Sequence, residues 1–267
     1  METGGEQESV RGIYLFCFAR PHAGFAVEGH GLDDGNPLQQ TTLRDVMAVL
    51  CEVAVEKWCG PSGDLNLQDL AWIGPRACRH EQVIEQVMRH SPVLPSRFGT
   101  LFSSFRSVEG VVDSHYAEID RFLDYVADKE EWGIKVLLDS SKAEERFLAP
   151  KLSALPPGAG ARYLLEQRLR VDARKEVRSW VKMVASEGVR RIRQQAVEFR
   201  QLRTPGQEGD EKKEIVFNWA FLVDKSVLDD FHAQVQSLNA KTAAQGLSCA
   251  ISGPWPPYSF CPPLSEK

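Results

Sequence analysis

Several kinds of segment are missing from this chain. No apolar run approaches the roughly 20 residues that cross a bilayer. The opening METGGEQESV is acidic and polar, without the basic start and apolar stretch of a secretory leader. Both absences point to a cytoplasmic protein with no membrane partner. Cysteine is sparse: the six thiols stand at 17, 51, 59, 78, 249 and 261, and none forms a CxxC pair. That pattern excludes a disulfide framework and reads as reduced, mostly core thiols. Positive charge is not in excess either. The 32 Lys+Arg are outnumbered by 37 Asp+Glu, a net of −5, so the chain as a whole is no electrostatic nucleic-acid binder.

The usual carriers of chemistry are absent too. GHGLDDG (29–35) does not match GxGxxG, and no Walker lysine occurs. No GxSxG elbow is present. Cys78 with His80, and His22 with His30, lack zinc-site spacing. Asp33–Asp34 and Asp229–Asp230 are sequence neighbours whose side chains point apart, which suits solvated carboxylates better than an acid–base pair. The expectation is a non-enzymatic protein without metal, nucleotide or other cofactor.

What is present is a globular composition: 43% hydrophobic and 26% charged residues in 267, enough for two ordinary domains. IYLFCFA (13–19) is apolar on both faces and predicts a central strand. Apolar spacings of three and four predict a helix over 41–58, stopped by CGPSG (59–63). LQDLAWIG (67–74) reads as a short strand, 81–90 and 107–128 as helices, 93–104 as extended chain, and WGIKVLLD (132–139) as a strand. A short helix is predicted at 141–148, then a long helical stretch over 161–203. Unbroken, that stretch would run about 65 Å, so a break is expected near 186–188. TPGQEGDEKK (204–213) is a polar loop. EIVFNWAFLVD (214–224) alternates as a strand, 226–245 follows as a helix closed by Gly246, and LSCAIS (247–252) is the last strand. The fold class is α+β in two domains, 11–130 and 131–267. The second has the split βαβ order of a ferredoxin-like sandwich.

Charge is uneven. Residues 161–203 hold 12 Lys+Arg and 5 Asp+Glu, a net of +7, which leaves −12 for the rest. This stretch either pairs with its own acidic body or meets an acidic partner. Arg190, Arg191 and Arg193 are the candidate contacts. A free-standing regulatory or RNA-binding module is the alternative, although the stretch lacks the aromatic platform of single-strand readers.

Two aromatic segments remain. In LPSRFGTLF (94–102), Leu94, Pro95, Arg97, Phe98 and Gly99 suggest a strand entering the core through a Gly turn, with Arg97 bonded to carbonyls. In GPWPPYSF (253–260), Gly253, Pro254, Pro256 and Pro257 carry Trp255, Tyr258 and Phe260. As an exposed PxxP segment it would dock an aromatic groove. As a structural plug it would lay three rings across the last sheet, and Trp255→Ala would then cost about 3–5 kcal/mol. The plug is the expected reading.

Together these two segments resemble the GvpL/GvpF family of gas vesicle proteins, and ARYLLEQR (161–168), NWAFLVD (218–224) and LSCAIS extend the resemblance over roughly residues 12–261. Ser96 stands where an aliphatic residue is common. The resemblance implies two α+β domains, the second a modified ferredoxin-like fold. It also implies a minor, non-enzymatic vesicle component that acts in nucleation and assembly, binds the small hydrophobic shell protein and other assembly proteins, and limits shell-protein aggregation. The gas vesicle, including its gas-facing surface, is the implied location.

Overall fold

The computed structural model describes residues 10–33, 35–155, 159–204 and 213–264. It divides into two compact units: residues 1–128 with 256–267, and residues 129–255. The chain thus crosses between units twice. Residues 256–264, placed with the second domain from the sequence, pack in the first unit, because Tyr258 and Phe260 find their burial there.

The first unit is built on an antiparallel sheet in the order β2 (Gln39–Leu43), β3 (Val46–Ala54), β1 (Arg11–Ala19) and β4 (Val93–Pro95), with the short β5 (Leu101–Phe102) also paired to β1. β1 is buried on both faces, as its unbroken apolar run requires. Helix α1 (Gly60–Asn66) leads to α2 (Leu70–Met88), and α3 (Phe105–Val126) follows β5. Both α2 and α3 pack on β1 and β4. Val83, Ile84 and Val87 of α2, and Val108, Val112, Ile119 and Leu123 of α3, form the buried stripes.

Two expectations fail in this unit. The predicted helix 41–58 is the β2–β3 hairpin. VMAVLCEVA contains one charged residue, and a run buried on both faces satisfies helical spacing by accident. The predicted strand 67–74 is the start of α2, where the Asp69 carboxylate accepts from the Ala71 N–H as N-cap.

The second unit is a four-stranded antiparallel sheet in the order β7 (Glu198–Gln201), β8 (Glu214–Asp224), β6 (Lys129–Leu138) and β9 (Leu247–Trp255). α4 (Ser140–Ser153) and α5 (Ala159–Ile192) connect β6 to β7, and α6 (Leu228–Thr242) connects β8 to β9. This is the ferredoxin-like arrangement with a doubled first crossover. Its core joins Ile134, Val136, Trp219 and Phe221 of the sheet to Val177 and Val181 of α5 and Phe231 of α6.

α5 runs 34 residues without the expected break. At about 1.5 Å per residue it is about 51 Å long. Gly188 does not interrupt it. A Cβ at that position would lie 2.7 Å from Leu238 Cδ2, so the glycine lets α6 approach closely. Most of the predicted loop 204–213, and Asp34 of the acidic pair, lie outside the described residues.

Candidate functional site

The two aromatic segments converge on one buried histidine in the first unit. His80, on α2, is 1% exposed. Its Nε2 lies 3.3 Å from the Ser96 carbonyl and 3.2 Å from the Tyr258 hydroxyl, and its Nδ1 lies 2.9 Å from the Tyr14 hydroxyl. A carbonyl only accepts, so Nε2 carries the proton and Nδ1 accepts from Tyr14. The Tyr14 hydroxyl in turn accepts from the Gly99 N–H at 3.1 Å, and the Tyr258 hydroxyl donates to Glu81 Oε1 at 2.7 Å. Donors and acceptors alternate without conflict through the set, which ties β1, α2, the 96–99 turn and the C-terminal segment together.

The first motif, and the last residues of the second, lie in the same unit as this histidine. The Phe98 ring packs edge-on to Tyr14 and His80 and tilts against Trp58. Gly99 has φ +85°, which glycine adopts without strain. Leu94 and Pro95 are buried in β4, paired to Phe18 and Cys17. The Ser96 hydroxyl donates to the Phe16 and Leu15 carbonyls, a use that no aliphatic residue could supply. Phe260 is buried, and Pro256 and Pro257 lead into its short turn.

Arg97 departs from expectation. Its carbonyl closes the turn by accepting from Thr100, but its guanidinium is exposed with no side-chain partner among the described residues. Cys78 is exposed while His80 is buried, so the pair is no ligand set. Among the described residues no three His, Cys, Asp or Glu gather as a metal would need. Asp229 and Asp230 are exposed in the first turn of α6.

Burial pushes the His80 pKa down to about 4, against a weaker upward pull from the Ser96 carbonyl. Burial also raises Glu81, partly offset by the Tyr258 hydroxyl, and raises both tyrosines. The histidine is therefore neutral in the fold and binds a proton more readily unfolded. Its stabilising contribution is complete above pH 6.5 and is lost as pH falls toward 4. The difference is worth about 3 kcal/mol. Denaturation midpoints across that interval should fall in the wild type, and fall less in His80→Gln, which has no proton to gain.

Trp255 is not part of this cluster. It ends β9 in the second unit, is 40% exposed, and donates its indole N–H to Ser252 Oγ at 3.1 Å. The three rings of GPWPPYSF therefore do not close one sheet together. Trp255→Ala should cost about 1 kcal/mol rather than the 3–5 expected of a buried ring. Thermal melting measures the difference.

In the second unit, α5 presents a long exposed face. Tyr163, Leu164 and Val171 are 63, 71 and 51% exposed there. Of the three arginines expected to meet a partner, Arg190 and Arg191 both hold Glu187, at 2.9 and 2.8 Å. They draw the Glu187 pKa down to about 2. Arg193 lies 4.9 Å over the Phe199 ring. Further along the helix, Arg174, Arg178 and Lys182 line a cleft of about 400 Å³.

Among the described residues no helix is long and apolar enough to cross a membrane. A ferredoxin-like unit with a doubled crossover and a second sheet-and-helix unit define a two-unit α+β protein. The chain matches the family described as gas vesicle synthesis protein GvpL/GvpF over residues 12–262 and belongs to it. It is 26% identical to gas vesicle protein L of a Streptomyces strain, over 92% of this chain and 91% of that one. It is also 26% identical to gas vesicle protein L1 of Halobacterium salinarum, over 99% and 95%. Two crystal structures share the fold. Gas vesicle protein GvpF from Anabaena has a TM-score of 0.69 at 18% identity, covering 94% of this chain and 96% of that one. GvpF from Microcystis aeruginosa has a TM-score of 0.66 at 17% identity, covering 94% and 99%.

Proposed function

We propose that this protein acts in gas vesicle assembly by binding the vesicle's small apolar shell protein before it is built in, limiting its aggregation. The observation that carries the reading is the exposed apolar run on α5. Tyr163, Leu164 and Leu165 are three consecutive large side chains, each more than 40% exposed, in the first turns of a helix that buries its stripe only further on, from Ala173 to Ile192. A folded protein leaves such a surface bare when a partner covers it. Arg162, Arg168 and Arg170, which flank the run, keep it soluble and set the on-rate more than the affinity. Because Arg190 and Arg191 are already paired with Glu187, the apolar run, rather than the 190–193 cluster, carries the binding.

The test is association of immobilised full-length protein with shell protein. Tyr163→Glu with Leu164→Glu should weaken binding about tenfold or more, since two anchor side chains are lost. Glutamates at Arg190 and Arg191 should change the affinity by less than about twofold. Absence of wild-type binding overturns the reading. Salt-steep binding to RNA through the same stretch would replace it with the RNA-binding alternative.

A further inference from the structure

We infer that the cleft beside the middle of α5 is a docking site for an acidic amphipathic helix of a partner protein, separate from the apolar run that would meet the shell protein. Arg174, Arg178 and Lys182 stand at positions i, i+4 and i+8 and so share one face of the helix. Successive charges are about 6 Å apart along the axis, and the row spans about 12 Å. Glu144 holds Arg174 at 3.1 Å, fixing the first cation in place. Arg178 and Lys182 are exposed and have no carboxylate partner among the described residues. Arg190 and Arg191, both held by Glu187 further along the helix, mark the contrast.

The floor of the cleft is apolar. Val177 and Val181 of α5 face Val216 and Phe217 of β8 across it. A register shift in the β6–β8 ladder between Val136 and Leu137 leaves Val216 as the extra residue. Such a bulge re-aims side chains locally. Here Val216 and Phe217 both pack against the helix-facing core while remaining partly open to the cleft.

The cleft is also lined by Glu144 and Glu214, so its three cations exceed its carboxylates by one; the cation row, with helical spacing along an aliphatic trough, is complementary to a ligand with the same period. Such a ligand carries carboxylates every four residues on one edge and leucine- or valine-sized groups beneath. A phosphate-bearing small molecule fits less well. The cations project from mid-helix, Glu144 and Glu214 on the same walls repel a compact multiply charged anion, and the valine floor offers a phosphate nothing, although Ser140 at the start of α4 also lines the cleft.

The probe is a fluorescent helical peptide with glutamate at every fourth position and leucines on the adjoining face. Its lysine-for-glutamate counterpart is the control. Anisotropy titrations use the full-length protein at low salt. The acidic peptide should bind and the basic one should not. Arg178→Glu with Lys182→Glu should weaken binding about tenfold or more, whereas Arg190→Glu with Arg191→Glu should leave it within about twofold. All four side chains are exposed, and unchanged circular dichroism would confirm that both variants fold. Equal binding of the two peptides, or an unaffected Arg178/Lys182 variant, overturns the proposal. So does tripolyphosphate binding at these residues with no binding of the acidic peptide, which would assign the cations to phosphate. Shell protein takes no part in this experiment, so its outcome is independent of the assembly reading.

Discussion

Replacing His80 with alanine should destabilise the first unit by about 3–5 kcal/mol, the range for emptying a fully buried site. The imidazole is sandwiched by rings: Phe16 stacks on it at 5.7 Å, and Tyr14 and Phe98 meet it edge-on. Its loss leaves a void among them. It also removes the acceptor of the Tyr14 hydroxyl and the Nε2–H that the Ser96 carbonyl and Tyr258 oxygen share. Unmade buried hydrogen bonds carry their own cost, about 1–3 kcal/mol each. Tyr258→Phe separates the two effects. It keeps the ring and strands Glu81 Oε1, so it should cost about 1–3 kcal/mol. Urea denaturation of the two variants should rank them in that order. A histidine variant as stable as wild type would show that the motif segments are not organised around this residue.

Gly253→Ala should cost about 3 kcal/mol or more, far beyond the effect of truncating its large neighbour Trp255. Gly253 has φ +134°, in a region that a side chain makes prohibitive. An added Cβ would lie 2.9 Å from the Glu131 carbonyl oxygen and 3.0 Å from the Trp132 ring. The first contact is backbone of a paired strand and cannot give way. The β6–β9 ladder shifts register here, with Glu131 opposite Trp255 and Gly133 opposite Ser252. The glycine is what lets β9 pass this irregularity. Ser252→Ala, which removes one exposed hydrogen bond to Trp255, should change stability by less than about 1 kcal/mol. Comparable melting of the two variants would contradict this account of the motif's glycine.

These residues also show what could be read without coordinates. β8 was legible because Ile215, Phe217, Trp219, Phe221 and Val223 alternate with no competing helical period. β3 was not, because a strand buried on both faces has no alternation to read. Gly188 looked like a helix stop, yet its meaning lies in Leu238, fifty residues away in sequence. GPWPPYSF was recognisable as a unit of sequence but not as two pieces of structure. Contiguous rings suggest a common packing target, and nothing local reveals that the chain changes unit at 255/256. His80 carries no local signal of its own, since its spacing to Cys78 fits no zinc site. The signal lay elsewhere: Tyr14 and Tyr258 sit in otherwise apolar segments, and a buried tyrosine hydroxyl needs a partner. On α5, charge counting found the basic stretch but could not tell arginines bound to Glu187 from cations with no partner among the described residues, because side-chain pairing depends on the facing elements.

The proposed role of this protein is to hold the shell protein in a soluble form on its way into the vesicle. Light scattering tests it most directly. Denatured shell protein is diluted into buffer with equimolar full-length protein, with the Tyr163→Glu/Leu164→Glu variant, or with neither. The account predicts strong suppression of scattering by the wild type and little by the variant. Scattering that is the same with and without the wild-type protein would contradict it.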